Sequence, residues 1–318
     1  MGVTFKVRRH DPRTGGKPSQ QEYRVDVAPG ATVFDALVQI REEQDGGLGF
    51  RGNCGRGFCG DCVVRMNGKL TLSCLTPVDK TVKDGLIAVE PAPYARQTKD
   101  LMYDDQTFLW DKYRAMKPWL VSDSATAKPV TEEAMANVRT MMRCTMCGLC
   151  DFGCTVIDVD QGFMGPAALT KAYRFMIDPR DTATKERLTM AGEPKGMWDC
   201  VHCWEASEHC PVGIDPTHRI MDMRDLSVRH GIRSGKQNPK VARHYDSFSK
   251  SVKESGWLDE FKITMDTEGI MGSLRLASVA LKALTRGKVA VIHPKRAGAE
   301  HIKRIFEKVE ADFKADQK

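Results

Sequence analysis

The sequence predicts an α+β protein of 318 residues, with a strand-rich N-terminal part followed by a longer helical part. Two patterns support this. β-branched and aromatic residues cluster in short runs at the start of the chain, whereas apolar residues recur at helical spacing afterwards. Hydrophobic residues make up 41% of the chain, enough for a packed core. The third observation is the 11 cysteines, an odd number that excludes complete pairing as disulfides.

The N-terminal part has the pattern of a small sheet around one helix. Thr32 followed by Asp35 resembles a capping box, and the helix that it starts is expected to end near Gly46. The pair Asn67-Gly68 indicates a hairpin turn. Five segments carry strand patterns: Val3–Val7, Tyr23–Val27, Cys62–Met66, Lys69–Cys74 and Thr81–Glu90. This order of elements is typical of a β-grasp ferredoxin-like domain.

The pattern becomes helical after the proline-rich segment Glu90–Pro93. Helices are expected at Phe108–Met116, Thr131–Met142, 165–176, 214–228, 240–265, 269–285 and 297–314. We therefore expect a β-grasp domain over residues 1–97, an all-α domain over 98–226 and a helical extension over 227–318.

The expected extension is basic, with 19 Lys and Arg against 11 Asp and Glu, while the whole chain has a net charge of +6. Such a surface suits a partner protein or a membrane surface, or is simply a solvated helical face. No zinc-finger, RNA-binding or helix-turn-helix signature suggests nucleic acid. Met1–His10 lacks the apolar core of a signal peptide, and no apolar run reaches the ~18 residues that span a bilayer. We expect any membrane attachment to come through another chain.

The first cysteine group has the spacing C-x4-C-x2-C followed by a distant fourth cysteine. Its members are Cys54, Cys59, Cys62 and Cys74. This is the plant-type [2Fe–2S] spacing. Gly55, Gly57 and Gly60 permit a loop whose backbone N–H groups point at the sulfur atoms. The alternative is a structural zinc site, which also uses four thiolates.

Two further groups follow. Cys144, Cys147, Cys150 and Cys154 form a bacterial ferredoxin run, and Cys200, Cys203 and Cys210 form the same run with Ala206 in place of its third cysteine. In two-cluster ferredoxins the fourth cysteine of each run binds the other cluster. This rule assigns Cys144, Cys147, Cys150 and Cys210 to a [4Fe–4S] cluster. It leaves Cys154, Cys200 and Cys203 for a third cluster, expected to be [3Fe–4S]; the alternative is a [4Fe–4S] cluster with Glu208 or His209 as fourth ligand.

Little else in the chain suggests catalysis. The sequence contains no Walker loop, no dinucleotide fingerprint and no nucleophile elbow, so we expect no catalytic residue in this chain. His202, His209 and His218 lie near the third group, where each is either structural or a ligand or proton relay. Trp198 and Trp204 flank the same cysteines and either keep water out or conduct electrons.

These motifs resemble the iron–sulfur subunit of succinate dehydrogenases and fumarate reductases. The resemblance covers about residues 3–225. It rests on the cysteine groups and on the segments Lys99–Asp104, Tyr113–Pro118, Gly165–Leu169, Ala172–Asp178, Arg180-Asp181 and Cys210–Thr217.

The resemblance implies that a separate flavoprotein subunit interconverts succinate and fumarate at an FAD. This chain would carry electrons between that subunit and a quinone site at a membrane anchor. The loop near Cys59 would face the flavoprotein, and the end with Cys154 and Cys200 would face the quinone. The complex would lie on the cytoplasmic face of a membrane.

Three departures from the family pattern concern the third site. Ala206 stands where the family has a ligand, and Cys203 appears instead. Thr155 replaces the proline that usually follows Cys154, and the tryptophan pair that usually comes next is absent. Val201 replaces a usual histidine.

Residues 226–318 exceed the usual family length. Leu281–Lys288 and Val289–Pro294 resemble the C-terminal end of heterodisulfide-reductase-type iron–sulfur subunits, which pair with a cysteine-rich (CCG-domain) subunit. A complex with a CCG-domain subunit in place of the usual anchor would explain these departures. The alternatives are an iron–sulfur subunit of a heterodisulfide-reductase-like or other anaerobic respiratory oxidoreductase, and a zinc-stabilised interaction module.

Overall fold

The computed structural model describes residues 1–123, 130–232, 239–288 and 295–316. The chain divides into two compact units. The first comprises Met1–Ala191 and Lys195–Asp225, and the second comprises Gly192–Pro194 and Leu226–Lys318. The expected boundary between a β-grasp and a helical domain near residue 97 falls inside the first unit and stays a prediction.

The first unit begins with a five-stranded sheet in the order β2-β1-β5-β3-β4. Its strands are β1 Gly2–Arg9, β2 Ser19–Asp26, β3 Val63–Met66, β4 Lys69–Leu72 and β5 Leu86–Pro91. β1 pairs in parallel with β5, with Phe5 opposite Ile87, and antiparallel with β2, with Phe5 opposite Tyr23. The mixed sheet with one helix confirms the predicted α+β N-terminal part.

Helix α1, Val33–Glu43, covers the sheet. The predicted capping box is present, because Thr32 Oγ1 accepts from the Asp35 amide at 3.2 Å and Asp35 Oδ2 accepts from the Thr32 amide at 2.9 Å. Leu37 and Ile40 of α1 are fully buried in one apolar cluster with Phe5 and other side chains of the central strands. This core holds the ends of the loop that precedes β3.

The rest of the first unit is mainly helical. A short helix α2, Val78–Thr81, precedes β5, and a small hairpin, β6 Gln97–Lys99 and β7 Met102–Tyr103, follows it. A π-helical turn at Gln106–Trp110 leads into α3. The helices are α3 Asp111–Ala115, α4 Glu132–Met142, α5 Leu149–Phe152, α6 Thr155–Val159, α7 Gly165–Met176, α8 Thr184–Ala191, α9 Glu205–Glu208 and α10 Pro216–Arg229, the last running into the second unit.

The second unit is helical in the part of it that the structure describes. Its helices after α10 are α11 Pro239–Ser255, α12 Glu260–Arg275, α13 Ala277–Thr285 and α14 Ala299–Asp316. α11 packs against α12 and α14. The residues Val289–Pro294, which resemble a heterodisulfide-reductase-type subunit, lie outside the described residues.

Several element predictions differ from the structure in their bounds, and the helix expected over 269–285 is divided between α12 and α13 at Leu276. The strand expected at Thr81–Glu90 starts only at Leu86, because Asp84 and Gly85 both have positive φ and make a turn. The helix expected over 240–265 is two helices, since Gly256 has a φ of 72° and Asp259 caps α12 by accepting from the Lys262 amide at 2.9 Å. Helix α7 has the predicted bounds, and α4 starts one residue after its predicted start because Thr131 is its N-cap.

None of the helices in the described ranges combines the length and the apolar character that a bilayer crossing requires.

Candidate iron–sulfur sites

The first site is a loop between α1 and β3, closed by a turn after β4. Cys54, Cys59 and Cys62 lie on the loop, and Cys74 lies on the turn. The amides of Arg56, Phe58 and Cys59 all point at Cys54 Sγ, at 3.4, 3.2 and 3.2 Å. The Gly57 amide points at Cys74 Sγ at 3.1 Å, and Cys62 Sγ lies 3.2 Å from Cys74 Sγ. The loop thus has the inward-pointing N–H groups that the glycine spacing predicted.

The thiols of this loop differ in their electrostatics. Hydrogen bonds from the backbone, that of Arg56 first, lower the pKa of Cys54 to about 7. Burial, with the neighbouring Cys62, raises the pKa of Cys74 to about 12. Amides directed at sulfur stabilise thiolates, which are the form that binds iron. Arg51 holds the loop from outside through Asp61 and Asp105, at 3.2 and 2.8 Å.

The first loop touches the second cysteine group directly. Gly60 has a φ of 75°, and a Cβ at this position would lie 2.5 Å from Cys147 Cα. Only glycine has both the conformation and the space that this contact needs. The first and second groups are therefore neighbours in space, although they belong to different parts of the sequence.

The second group surrounds a small cavity. Cys144, Cys147, Cys150 and Cys210 all line it. Cys210 comes from the other run, 60 positions after Cys150. The structure thus brings together the four cysteines that the ferredoxin rule assigned to one cluster.

Three orphaned hydroxyl groups also line this cavity. The side-chain oxygens of Tyr113, Thr145 and Thr170 are buried and have no hydrogen-bond partner among the described residues. A buried hydroxyl without a partner is costly, so its position calls for an acceptor inside the cavity. Burial raises the pKa of the Cys147 thiol to about 11 and that of Cys150 well above its usual value, so these thiols ionise only with a bound metal. Four thiols and three hydroxyl donors around one cavity fit an iron–sulfur cluster, whose sulfide atoms accept hydrogen bonds.

The third group consists of Cys154, Cys200 and Cys203. Cys154 is the N-cap of α6, and the amides of Val156 and Ile157 point at its sulfur. Burial raises the pKa of Cys154 to about 11 and also raises the pKa of Cys200. Cys203 is the exposed member of the group.

The second and third groups have the same backbone. Met146 and Gly148, on either side of Cys147, have φ of 56° and 74°; His202 and Trp204, on either side of Cys203, have φ of 55° and 66°. A one-turn helix follows in each case, α5 or α9. Cys150 is the second residue of α5 and Ala206 the second residue of α9. Ala206 is only 5% exposed and therefore occupies the place of a buried ligand.

The fourth ligands suggested for the third site, Glu208 and His209, stay predictions. The His209 ring packs directly against Gly153, and His218 pairs with Asp215 while its ring lies 5.9 Å from that of Trp204. The carboxylate nearest to a thiol of this group is Glu205, whose Oε2 lies 3.6 Å from Cys203 Sγ. Thr155 donates a hydrogen bond to the same Glu205 carboxylate. Nothing in the cysteine spacing indicated Glu205.

Other aromatic and basic residues cover the third group. Arg224 donates to the carbonyls of Met197 and Cys200, at 2.6 and 2.8 Å, and its guanidinium lies over the Trp198 ring at 5.2 Å. Burial, and then the charge of Arg224, lowers the pKa of His202. His202 is therefore mainly neutral at pH 7, and its buried Nε2 has no hydrogen-bond partner in the described parts of the chain. Trp198 is buried, which agrees with exclusion of water, whereas Trp204 is exposed.

A buried carboxyl lies between the second and third groups. Burial raises the pKa of Asp151, the residue after Cys150, to about 7. Its Oδ1 accepts from the Ala167 amide in the first turn of α7 at 2.7 Å. Sequence reasoning missed Asp151, and the only available signal was a charged residue inside a cysteine run.

Comparisons with known proteins agree with this architecture. Residues 4–110 match the family described as 2Fe-2S iron-sulfur cluster binding domain, and residues 140–214 match the family described as 4Fe-4S dicluster domain. The fold and the sites therefore define an iron–sulfur protein with a [2Fe–2S] domain and a two-cluster domain. These matches favour iron–sulfur clusters over the zinc alternative.

The chain belongs to the family of succinate dehydrogenase iron–sulfur subunits. It is 34% identical over 232 residues to the mitochondrial succinate dehydrogenase [ubiquinone] iron-sulfur subunit of Candida glabrata, covering 70% of this chain and 89% of that protein. A chain of the Mycobacterium smegmatis Sdh1 complex in the apo form has the same fold, with a TM-score of 0.64 and 24% identity, over 72% of this chain and 96% of that one. This protein is thus a component of an oxidoreductase complex.

Proposed function

We propose that the chain is the electron-transfer subunit of a succinate:quinone oxidoreductase or quinol:fumarate reductase. It would relay electrons between a separate FAD subunit and a quinone-side subunit. The observation that carries this proposal is the contact of Gly60 with Cys147, which joins the first loop to the four-cysteine cavity. Bound iron–sulfur clusters supply one-electron redox chemistry, and the chain supplies their order and spacing.

The proposed ligands follow the three groups. Cys54, Cys59, Cys62 and Cys74 would hold the [2Fe–2S] cluster; Cys144, Cys147, Cys150 and Cys210 the [4Fe–4S] cluster; and Cys154, Cys200 and Cys203 the third. The amides around Cys54, and the hydroxyls of Tyr113 and Thr170, would donate hydrogen bonds that tune these sites.

The first and the third cysteine groups are proposed to face different partners. Phe58, beside Cys59, is 78% exposed and suits an apolar contact with the flavoprotein subunit. Val159, Val201 and Trp204 are exposed around the third group and suit a contact with a membrane anchor or a CCG-domain subunit near the quinone. The assembled complex would lie on the cytoplasmic face of the membrane.

The third cluster is proposed to be [3Fe–4S]. Ala206 cannot bind iron, and its place in α9 corresponds to that of Cys150 in α5. Three thiols then remain for a cluster that has one iron fewer than a cubane.

The test is a redox titration of the isolated complex, followed by electron paramagnetic resonance and by iron and sulfide analysis. We expect a [2Fe–2S] signal on reduction and a [3Fe–4S] signal in the oxidised complex. The [2Fe–2S] signal should also appear on addition of succinate, which reaches the clusters only through the FAD subunit. If the clusters give their normal signals but succinate does not reduce them, the assignment to succinate is contradicted, while the proposal of an electron-transfer role stands.

A further inference from the structure

One stretch of the second unit is apolar, cationic and uncovered by the described residues. Residues 269–288 contain Arg275, Lys282, Arg286 and Lys288 but no Asp or Glu. The large apolar side chains of the stretch are exposed: Ile270, Met271, Leu274, Val279, Leu281 and Leu284. Helix α13, at the centre of the stretch, contains no buried residue. Its apolar side chains therefore make no core in the part of the unit that the structure describes.

Helix α13 is amphipathic. Leu276, Val279 and Leu284 recur at the spacing that places side chains on one face of a helix, together with the alanines at 280 and 283. Ser278, Lys282 and Thr285 lie on the opposite face. The polar side thus carries hydroxyls and a cation, with Leu281 at its margin, and the apolar face carries aliphatic side chains.

Glycines at both ends set this stretch apart. Gly269 interrupts α12 with φ of 70° and ψ of −178°, a conformation essentially restricted to glycine. Gly287, after α13, has a φ of 63°. The apolar stretch is thus bounded by two points at which the helical backbone direction breaks.

We propose that residues 269–288 lie in the plane of a membrane surface and bind anionic lipid. Helices that do so combine an apolar face with Lys and Arg at the polar side, and they are too short or too polar to span. α13 has 9 residues, whereas a span needs ~20. Four cations without a compensating acid match a negatively charged surface. This contact goes beyond the proposed electron-transfer function and does not depend on it.

Helix α14 shows what distinguishes this stretch from an ordinary solvated face. α14 also exposes apolar side chains, Ile305 and Val309. Unlike residues 269–288, α14 also contains acidic residues, among them Glu300, Glu307 and Glu310. Acidic residues repel anionic lipid, so α14 provides matched control positions in the same unit.

The test is co-sedimentation of the full-length, cluster-loaded chain with lipid vesicles. The chain should bind vesicles of phosphatidylglycerol mixed with phosphatidylcholine. Binding should weaken when salt is added, and it should be weaker to vesicles of phosphatidylcholine alone. Each cation at a membrane surface contributes about a fivefold factor in partitioning. The double variant Lys282→Gln with Arg286→Gln should therefore bind about 25-fold more weakly. The control Lys303→Gln with Lys308→Gln loses the same charge and should bind as the wild type does.

A second pair of variants tests the apolar face. Leu276→Gln with Leu284→Gln should lose binding, while Ile305→Gln with Val309→Gln should retain it. Hydrogen exchange should also show protection of 277–285 on addition of the vesicles, and this readout is independent of electron transfer. The proposal is overturned if the wild type does not bind, if the control pairs lose as much as the test pairs, or if a purified partner subunit, rather than vesicles, protects 277–285.

Discussion

The runs Cys144–Cys154 and Cys200–Cys210 have the same backbone but surround sites of different composition. Both place left-handed residues beside their second cysteine and continue into a one-turn helix. The first run has Cys150 on that helix, and the second has Ala206. The difference teaches that the loop conformation does not require the full set of thiols. Under the proposed assignment of ligands, a single side chain on a shared backbone decides how many irons a site can hold.

The residues that follow Cys150 and Ala206, which are Asp151 and Ser207, have the same role in the two runs. Asp151 accepts from the Ala167 amide in the first turn of α7, at 2.7 Å. Ser207 Oγ accepts from the Thr217 amide in the first turn of α10, at 3.1 Å. Each run thus caps the long helix that follows it. The caps differ in charge, because Asp151 is titratable and Ser207 is not.

The largest expected effect comes from breaking the exchange of ligands between the runs. Cys210→Ser should abolish the [4Fe–4S] signal, because Cys210 lines the cavity of the other run. Cys154→Ser should instead abolish the [3Fe–4S] signal. Electron paramagnetic resonance of the oxidised and reduced complex distinguishes the two. If each variant lost the cluster of its own run, the exchange would be wrong.

A reciprocal pair of substitutions should interconvert the two sites. Ala206→Cys should add one iron per chain and remove the oxidised [3Fe–4S] signal, because it restores the thiol of the α9 position. Cys150→Ala should create a second [3Fe–4S] signal and remove one iron. The control Ala168→Cys adds a buried thiol on α7. Equal iron gain in this control would contradict the assignment to position 206.

Substitution of a residue with left-handed backbone should have a smaller effect, and this effect is on the stability of the fold. Gly148→Ala should lower the free energy of unfolding by about 2–4 kcal/mol, because left-handed backbone disfavours a Cβ and overpacking adds to the cost. That Cβ would lie 2.6 Å from Leu109 Cδ1. Gly213→Ala is the control, since Gly213 has a φ of 66° but no atom within 4 Å of a Cβ. Denaturant unfolding should show a clearly smaller loss for the control.

A further expected effect is a pH dependence confined to the first run. Burial raises the pKa of Asp151 to about 7 from its usual value of 3.8, so the folded chain holds this proton more tightly than the unfolded chain does. Asp151 therefore costs stability progressively as the pH rises from about 4 to about 7. Asp151→Asn should remove this part of the pH dependence in urea unfolding, whereas Ser207→Ala should lower stability equally at all pH values. If the free energy of unfolding of the wild type and of Asp151→Asn changed in parallel with pH, the role of Asp151 in the pH dependence would be contradicted.

The cysteine groups could be predicted from the sequence because their spacing is local. C-x2-C segments and the missing thiol at Ala206 are visible without any tertiary information. The exchange of Cys210 was predictable only through a rule for duplicated runs. The Glu205 carboxylate near Cys203, the contact of Gly60 with Cys147 and the cap of Asp151 on α7 depend on packing between distant segments, which no local pattern encodes.

The elements show the same division. The capping box at Thr32 and Asp35 was visible because both partners are three residues apart. The break between α11 and α12 was missed, since Gly256 and the cap Asp259 interrupt an apolar pattern that otherwise continues. The spacing of apolar residues indicates which face of a helix is buried. It does not reveal a turn when the apolar residues on both sides of the turn keep the same spacing.

The contact between Gly60 and Cys147 also bears on how the protein is made. The two residues are 87 positions apart, so Gly60 leaves the ribosome long before Cys147 does. Until the second run has been synthesised and folded, the side of the first loop that meets it stays open to solvent. The order of synthesis thus provides an interval in which the first cysteine group is accessible to the assembly machinery from a direction that the finished protein closes.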